Sequence, residues 1–258
     1  MRFSVLASDS SGNSCFVESG GTKVLIDAGL SCKLVKERLA EIGESLDGIH
    51  AACFTHDHDD HAHAAGTLFT RHKIPVYATY GTAEKFNDGA KTKTKPEWNI
   101  IAPGSDFTIG ALTIHPFHIP HDPPEPVGFV VRDSSSALGF ATDLGEIPEM
   151  VFRRLKSCNA LLLEFNHDIP MLMNHPTRTW ELKQRIRGRN GHLSNEQAAE
   201  CLARLAGPHL RTLFLAHISG ECNTHKLARS AADEALRSAG CSPRVILPSS
   251  SAMPLTEV

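Results

Sequence analysis

The sequence has no Cys-x-x-Cys pair. Its seven cysteines are odd in number and irregularly spaced, which argues against both a disulfide framework and a thiolate zinc site. No apolar run approaches the roughly 20 residues that span a bilayer, so no membrane association is expected. The opening stretch Met1-Arg2-Phe3-Ser4-Val5-Leu6-Ala7 is too short in its apolar part for a signal peptide, and the cytoplasm is the expected compartment. A formal net charge of −3 gives no global electrostatic argument for nucleic acid. Aromatics are scarce. Two Trp and two Tyr leave little material for stacking the bases of a long single strand, with Trp98 and Trp180 as the candidates. Sequence repeats and low-complexity linkers are also missing. What remains is an ordinary globular composition, 41% hydrophobic and 21% charged, with length enough to bury a sizeable core. A single domain over residues 1–258 is expected.

Histidine is plentiful, at 15 residues, and it is not scattered evenly. Residues 55–61 read Thr-His-Asp-His-Asp-Asp-His, so His56, His58, Asp60 and His61 offer three imidazoles and a carboxylate within six residues. That is enough ligand for two neighbouring metal ions. Imidazole suits zinc and iron, and the carboxylate suits harder ions such as manganese. The run follows Ala51-Ala52-Cys53-Phe54, an apolar stretch of the kind a buried strand shows. A solvated His-rich tract is the plainer reading, and the mixture with Asp after a strand argues against it. The pattern recurs downstream. The strand-like Leu112–Phe117 leads to His121, Ala137–Thr142 ends at Asp143, Ala160–Phe165 at Asn166-His167-Asp168, and Thr212–Ala216 at His217. In open α/β folds, ligands gather beyond the carboxyl ends of strands. His115 and His118 compete with His121 for the same role, and the position of His121 at a loop end favours it.

Local signals outline the remainder. Gly20-Gly21 marks a hairpin between Cys15–Ser19 and Lys23–Ile26. Val35, Leu39 and Ile42 share one face of a helix over Cys32–Ile42, stopped by Gly43. A helix is expected over Ala62–His72 and a strand over Ile74–Ala78. Further hairpins are expected around Gly110 and through Asp133-Ser134-Ser135-Ser136. Pro148–Ser157 reads as a helix, Ser194 with Gln197 as a capping box, Thr224–Ala239 as the last helix and Arg244–Leu247 as the last strand. Strand hairpins first, then helices alternating with strands, suggest an α/β layered fold with two sheets between helices.

His56-Asp57-His58-Asp59-Asp60-His61 resembles the His-x-His-x-Asp-His signature of the metallo-β-lactamase superfamily, and His121, Asp143 and His217 follow in the order of its other metal-binding motifs. A narrower resemblance covers nearly the whole chain. Leu6-Ala7-Ser8-Asp9-Ser10-Ser11-Gly12-Asn13-Ser14, Leu25-Ile26-Asp27-Ala28-Gly29, Glu125-Pro126-Val127-Gly128-Phe129, Asn166-His167-Asp168, Gly191-His192-Leu193-Ser194-Asn195 and Leu215-Ala216-His217-Ile218-Ser219 are similar to the YycJ/WalJ group of bacterial metallohydrolases. The resemblance implies an αββα sandwich of two mixed sheets between helices. It also implies a dimetal phosphodiester hydrolase that acts as a DNA exonuclease through a metal-bridging hydroxide. By the superfamily pattern, His56, His58 and His121 hold one divalent ion, Asp60, His61 and His217 the other, and Asp143 bridges; zinc or manganese is expected, with iron a further option. Two departures stand out: Asp9 occupies a place where glycine is expected, and Asp59 one where serine is common.

Other residues carry paired readings. Asp27 is either a turn residue or, as the resemblance implies, a carboxylate orienting a ligand histidine. His167 and His192 are structural histidines or else contact phosphate or donate a proton to the leaving oxygen; with Asp60 they are the candidates for the chemistry itself. Ser11, Gly12 and Asn13 are part of an ordinary turn or line an anion site, with Asn166 beside them as a substrate-binding candidate. Arg178, Lys183, Arg185, Arg187 and Arg189, with Glu181 the one acid among them, form either a solvated face or a phosphate-backbone contact in which Arg185, Arg187 and Arg189 would bind DNA. Lys91, Lys93 and Lys95 read as a basic loop. The rival functions are hydrolysis of a small cyclic nucleotide or cyclic phosphate and, from another class, a non-catalytic metal-binding regulatory module.

Overall fold

A computed structural model describes residues 1–89 and 95–258 of the chain. Lys91 and Lys93 of the expected basic loop lie outside the described residues. In chain order the elements are β1 (Arg2–Asp9), β2 (Gly12–Ser19), β3 (Thr22–Ile26), α1 (Cys32–Glu41), β4 (Ala51–Cys53), α2 (Asp59–Ala62), α3 (Ala65–His72), β5 (Val76–Ala78), α4 (Tyr80–Gly89), β6 (Trp98–Ile100), β7 (Phe107–Ile109), β8 (Leu112–His118) and β9 (Val127–Arg132). They continue with β10 (Ala137–Ala141), α5 (Glu149–Leu155), β11 (Ala160–Glu164), α6 (Ile169–Met173), α7 (Trp180–Arg187), α8 (Asn195–Leu205), β12 (Thr212–Ala216), α9 (His225–Ser238), β13 (Arg244–Ile246) and β14 (Thr256–Glu257). The strands sort into two mixed seven-stranded sheets. The chain forms two compact units: Met1–His118 with Pro123–Ser136 and Ser249–Val258, and Ile119–Asp122 with Ala137–Pro248. Among the described residues no helix is long and apolar enough to cross a membrane.

The first unit contains a sheet in the order β14-β1-β2-β3-β4-β5-β6. Its β2–β3 hairpin turns through Gly20 and Gly21 at φ of 56° and 79°, a conformation that costs glycine nothing. Beyond β3 the strands run parallel, with Ile26 opposite Cys53, so the chain leaves β3 and β4 side by side at Asp27 and Phe54. Phe16, Leu25, Val35, Leu39, Phe54 and Leu68 pack in one apolar cluster under this edge. The helix expected over Ala62–His72 is interrupted. Its reach begins earlier, at Asp59, and α2 and α3 are separated at His63-Ala64. The loop after β3 takes the intervening hydrogen bonds: Ala28 N–H donates to His61 O at 2.8 Å, and Ala64 N–H donates to Ala28 O at 2.9 Å. The two backbones lie so close that a Cβ on Gly29 would stand 1.7 Å from Asp60 O, which makes glycine obligatory there. The strands β7, β8 and β9 form an antiparallel meander in the same unit, with Gly110 at the first turn.

The second unit has four parallel strands, β10-β11-β12-β13. Every residue of β10, β11 and β12 is buried, as expected for parallel strands covered on both faces. The register pairs Ala141 with Leu163 and Glu164 with Ala216, so Asp143, Glu164 and His217 all emerge at one end of this sheet. The Ser194–Gln197 capping box opens α8 as the sequence predicts.

Three helices had no signal in the sequence reading. α4 buries only the small residues Gly81, Thr82 and Ala83, α6 is a single short turn, and α7 buries nothing, so none presents a stripe of large apolar side chains.

Candidate metal centre

In the first unit the histidine loop is held from β3. Asp27 follows that strand in the left-handed region, at φ 59°, where a non-glycine residue is uncommon. The turn points its buried carboxylate at the loop. Asp27 Oδ1 accepts the Thr55 N–H at 2.8 Å, and Asp27 Oδ2 stands 2.8 Å from His61 Nδ1. Thr55 Oγ1 donates to Asp27 Oδ2 at 2.9 Å and lies 2.9 Å from His56 Nδ1. The Nδ1 atoms of His56 and His61 are therefore both engaged on the Asp27 side, which directs each Nε2 the other way. His56 and His61 are buried, while His58 and Asp60 are half-buried. The ring centroids of His56 and His61 are 4.2 Å apart and those of His56 and His58 4.7 Å. Asn13 reaches the same loop, with its Nδ2 at 3.0 Å from His61 Nε2 and 3.4 Å from Asp60 Oδ2.

In the second unit a glutamate does the holding. Glu164, at 0% exposure, receives four donors: His192 Nδ1 and His217 Nδ1 at 2.9 Å on Oε1, and the N–H groups of Leu193 at 2.9 Å and Leu144 at 3.3 Å on Oε2. Burial alone would raise its pKa. The charge and hydrogen bond of His192, with the bond from His217, outweigh burial and hold Glu164 below the usual carboxylate range. His192 is pulled down by burial but raised on balance by Glu164 and Asp143. Asp143, Glu164, His192 and His217 each bring a ligand-type atom to within 4.8 Å of the others. Asp143 and His217 follow their strands at φ 59° and 53°, the same rare conformation as Asp27. Such outliers gather at functional sites, where the surroundings enforce them. His121 stands beside His192, ring centroids 5.4 Å apart, and its Nδ1 lies 3.2 Å from Asn190 O. Of its sequence competitors, His115 bonds Asp106 and His118 is exposed.

The remaining candidates fall into place unevenly. Asn166 donates from Nδ2 to His217 O at 3.0 Å, so it braces the turn that carries His217. His167 is 1% exposed, neither of its ring nitrogens has a hydrogen-bond partner among the described residues, and burial pushes its pKa down to about 4. The polar loop between β1 and β2 is shorter than expected. Ser11 donates its N–H to the Asp9 side chain at 2.7 Å, and Gly12 already pairs with Asp9 inside the sheet. The Ser11 N–H is therefore engaged within the chain, and Asn13 works through its side chain. The basic segment is likewise partly neutralised. Arg178 pairs with Glu221 at 2.8 Å, Arg189 with Glu146 at 2.7 Å, and Arg185 with Asp122, all acids from distant sequence. Glu164 is the functional residue that sequence reasoning missed. Its signal was a lone carboxylate closing the otherwise apolar Ala160-Leu161-Leu162-Leu163, which has no reason to be there unless something cationic or hydrogen-bonding meets it.

Five histidines with Nδ1 engaged by an oxygen, His56, His61, His121, His192 and His217, together with carboxylates placed to bind, fit divalent metal ions. The comparisons agree. A family model described as "Beta-lactamase superfamily domain" matches residues 22–218. The exodeoxyribonuclease WalJ of Streptococcus pneumoniae serotype 2 is 33% identical over 230 residues, covering 88% of this chain and 85% of that protein. The exodeoxyribonuclease YycJ of Bacillus anthracis is 31% identical over 245 residues, covering 93% and 90%. Among solved structures, the metallo-β-lactamase fold protein YhfI of Bacillus subtilis superposes with a TM-score of 0.74 at 16% identity, over 99% of both chains. The chain thus has the αββα fold that its sequence suggests, and it belongs to the metallo-β-lactamase superfamily and, within it, to the family of WalJ and YycJ.

Proposed function

We propose that the chain is a dimetal phosphodiester hydrolase whose substrate is DNA, shortened from an end. The observation that carries this reading is the doubled anchoring: Asp27 and Glu164, both buried, each hold histidines by Nδ1 and turn Nε2 toward a ligand. The proposed ligands are His56, His58, Asp60, His61, His121, Asp143 and His217, with Asp143 shared. The mixed imidazole and carboxylate set suits zinc, manganese or iron. Two such ions, when bound, supply an acidic water and neutralise charge on a phosphodiester. The exodeoxyribonuclease relatives, similar along most of their length, favour DNA.

The chain's own groups then have separable tasks. Asp27 and Glu164 fix ring orientation. His192, whose Nδ1 is held by Glu164, presents Nε2 as a proton donor to the leaving oxygen; burial pulls its pKa down, but Glu164 and Asp143 raise it on balance, which favours the donor form toward neutral pH. His167 stays neutral at that pH and offers a hydrogen bond to a phosphate oxygen. All seven cysteines are free, which fits a reducing compartment such as the cytoplasm.

A second reading, hydrolysis of a small cyclic phosphodiester, is favoured by one observation: Arg178, Arg185 and Arg189 are already paired with acids, which lowers the positive potential available to a long polyanion. An activity panel of labelled single- and double-stranded DNA, RNA, a cyclic nucleotide and bis(p-nitrophenyl) phosphate separates the two. DNA shortening is expected. Turnover confined to the small diesters overturns the DNA assignment.

A further inference from the structure

Helix α7 buries none of its residues, yet it carries Trp180 at 59% exposure, the larger of the chain's two tryptophan surfaces. A helix of eight residues with no fully buried side chain is marginal by itself, so other forces must help keep it in place. The structure supplies them as polar tethers. Thr179 caps its first turn by accepting the Leu182 N–H. Arg178, just before it, pairs with Glu221; Arg185 pairs with Asp122; Arg189, just after it, pairs with Glu146. Lys183 Nζ donates to Met173 O at 2.8 Å.

The C-terminal end of α7 is built into the candidate centre. His192 N–H donates to Ile186 O at 2.8 Å, and His121 Nδ1 meets Asn190 O. The chain can fold back so tightly only because residue 191 is glycine: a Cβ there would stand 2.2 Å from Ile186 O and 2.3 Å from Arg185 O. Trp180, Lys183 and Arg187 are spaced i, i+3 and i+7 and share one face of the helix. Arg187 touches Met173 Sδ at 3.5 Å and has no carboxylate partner among the described residues. Its charge lies close enough to His167 to help push that pKa down.

We propose that α7 is the platform that receives the single-stranded DNA running into the centre, with Trp180 stacking on a base and Arg187 contacting a phosphate. This rests on the DNA reading above. It also divides the basic segment by role, since Arg178, Arg185 and Arg189 hold the helix while Arg187 and Trp180 face the strand. The chemistry is that of sequence-tolerant strand binding, in which an aromatic face stacks on any base and a cation tracks the backbone. From Trp180 to Arg187 the helix rises about 10 Å. That is on the order of three nucleotide steps at 3.4 Å each. The stacked base is therefore a few nucleotides from the bond that breaks, and the contact is invisible to a dinucleotide.

The test is the binding of phosphorothioate-linked oligothymidylates of two, four and eight nucleotides to the metal-loaded protein. Tryptophan emission is read in a Trp98→Phe background, so that Trp180 alone reports. Quenching is expected with the longer strands and little with the dinucleotide. Trp180→Ala should weaken octanucleotide binding about tenfold, within the range for one stacked base, and shrink the gain from two to eight nucleotides. Trp180→Phe should recover most of the affinity, read for both Trp180 variants from the anisotropy of an end-labelled strand. Arg187→Ala should lower the log–log salt slope by about 0.7, whereas one lost phosphate contact is not expected for Arg189→Ala. Unchanged affinity in Trp180→Ala, or no quenching of Trp180 by the octanucleotide in the Trp98→Phe protein, while the wild type still degrades DNA, overturns the platform alone. A wild type that neither binds oligonucleotides nor cuts DNA, but hydrolyses small diesters, overturns the DNA reading with it.

Discussion

Two buried carboxylates perform the same task in the two units by different means. Asp27 leaves β3 in a left-handed turn and holds His61 directly and His56 through Thr55, all within one loop. Glu164 ends β11 without such a turn and holds His192 and His217, which come from different segments. In the first unit the strain sits in the anchor; in the second it sits in the anchored His217 and in Asp143, the neighbour of the anchored Leu144. Asp27 also receives a backbone N–H, whereas Glu164 receives two and ties Leu144 and Leu193 to the same point. The second anchor thus organises a larger stretch of chain than the first.

The largest effect is expected outside both anchors. Asp143→Ala should lower occupancy at both metals and bring turnover close to background, because the proposed bridge is gone; elemental analysis that still finds two ions per chain removes Asp143 from that role. Next comes His192→Ala, expected to slow DNA hydrolysis by about 10²–10⁴-fold with metal content and folding retained. An activated p-nitrophenyl diester should suffer less. Equal slowing of both substrates points to phosphate positioning, and no slowing makes His192 structural.

The anchors themselves should cost less and should differ in kind. Asp27→Asn and Glu164→Gln are each expected to weaken metal affinity about 10–100-fold, the usual range for partners of ligand histidines. Only Glu164→Gln should also lose appreciable stability, about 1–3 kcal/mol, because it weakens the acceptor for two buried backbone donors. Chelator titration and urea unfolding read the two effects apart, and matching stability losses would erase the distinction between the anchors.

Asp133 serves as a carboxylate control away from the histidines. Burial would raise its pKa, but the Ser19 hydroxyl and the N–H groups of Ser135 and Ser136 outweigh burial and hold it far below the ordinary value. A depressed folded-state pKa stabilises the fold above the unfolded value near pH 4, and that contribution fades as pH falls further. Asp133→Ala should destabilise by about 2 kcal/mol at pH 7 and less below pH 4, with metal content unchanged. Metal loss in that variant would mean that any buried carboxylate, not the two anchors in particular, governs the centre.

The histidine loop was legible because His56, His58, Asp60 and His61 are neighbours in the chain. Asp143 and His217 were legible as strand ends, since parallel strands in register deliver their next residues to one edge, and His121 from its place in the loop after β8. Glu164 was passed over because it lies inside the apolar run rather than after it. The break at His63-Ala64 could not be read locally, for it is imposed by the backbone of Ala28 and Gly29. Nor could the neutralisation of Arg185 and Arg189: their partners Asp122 and Glu146 are 63 and 43 residues away in sequence. The helix α7 was hidden for the related reason that tethers, rather than an apolar stripe, hold it.

The central claim is metal-dependent hydrolysis of DNA from an end, and the most direct measurement is the time course of an end-labelled single strand incubated with the metal-loaded protein. Progressive shortening, stopped by chelator and restored by adding back zinc or manganese, is the predicted result. DNA that stays intact while bis(p-nitrophenyl) phosphate is hydrolysed, or shortening that chelator leaves untouched, contradicts the account.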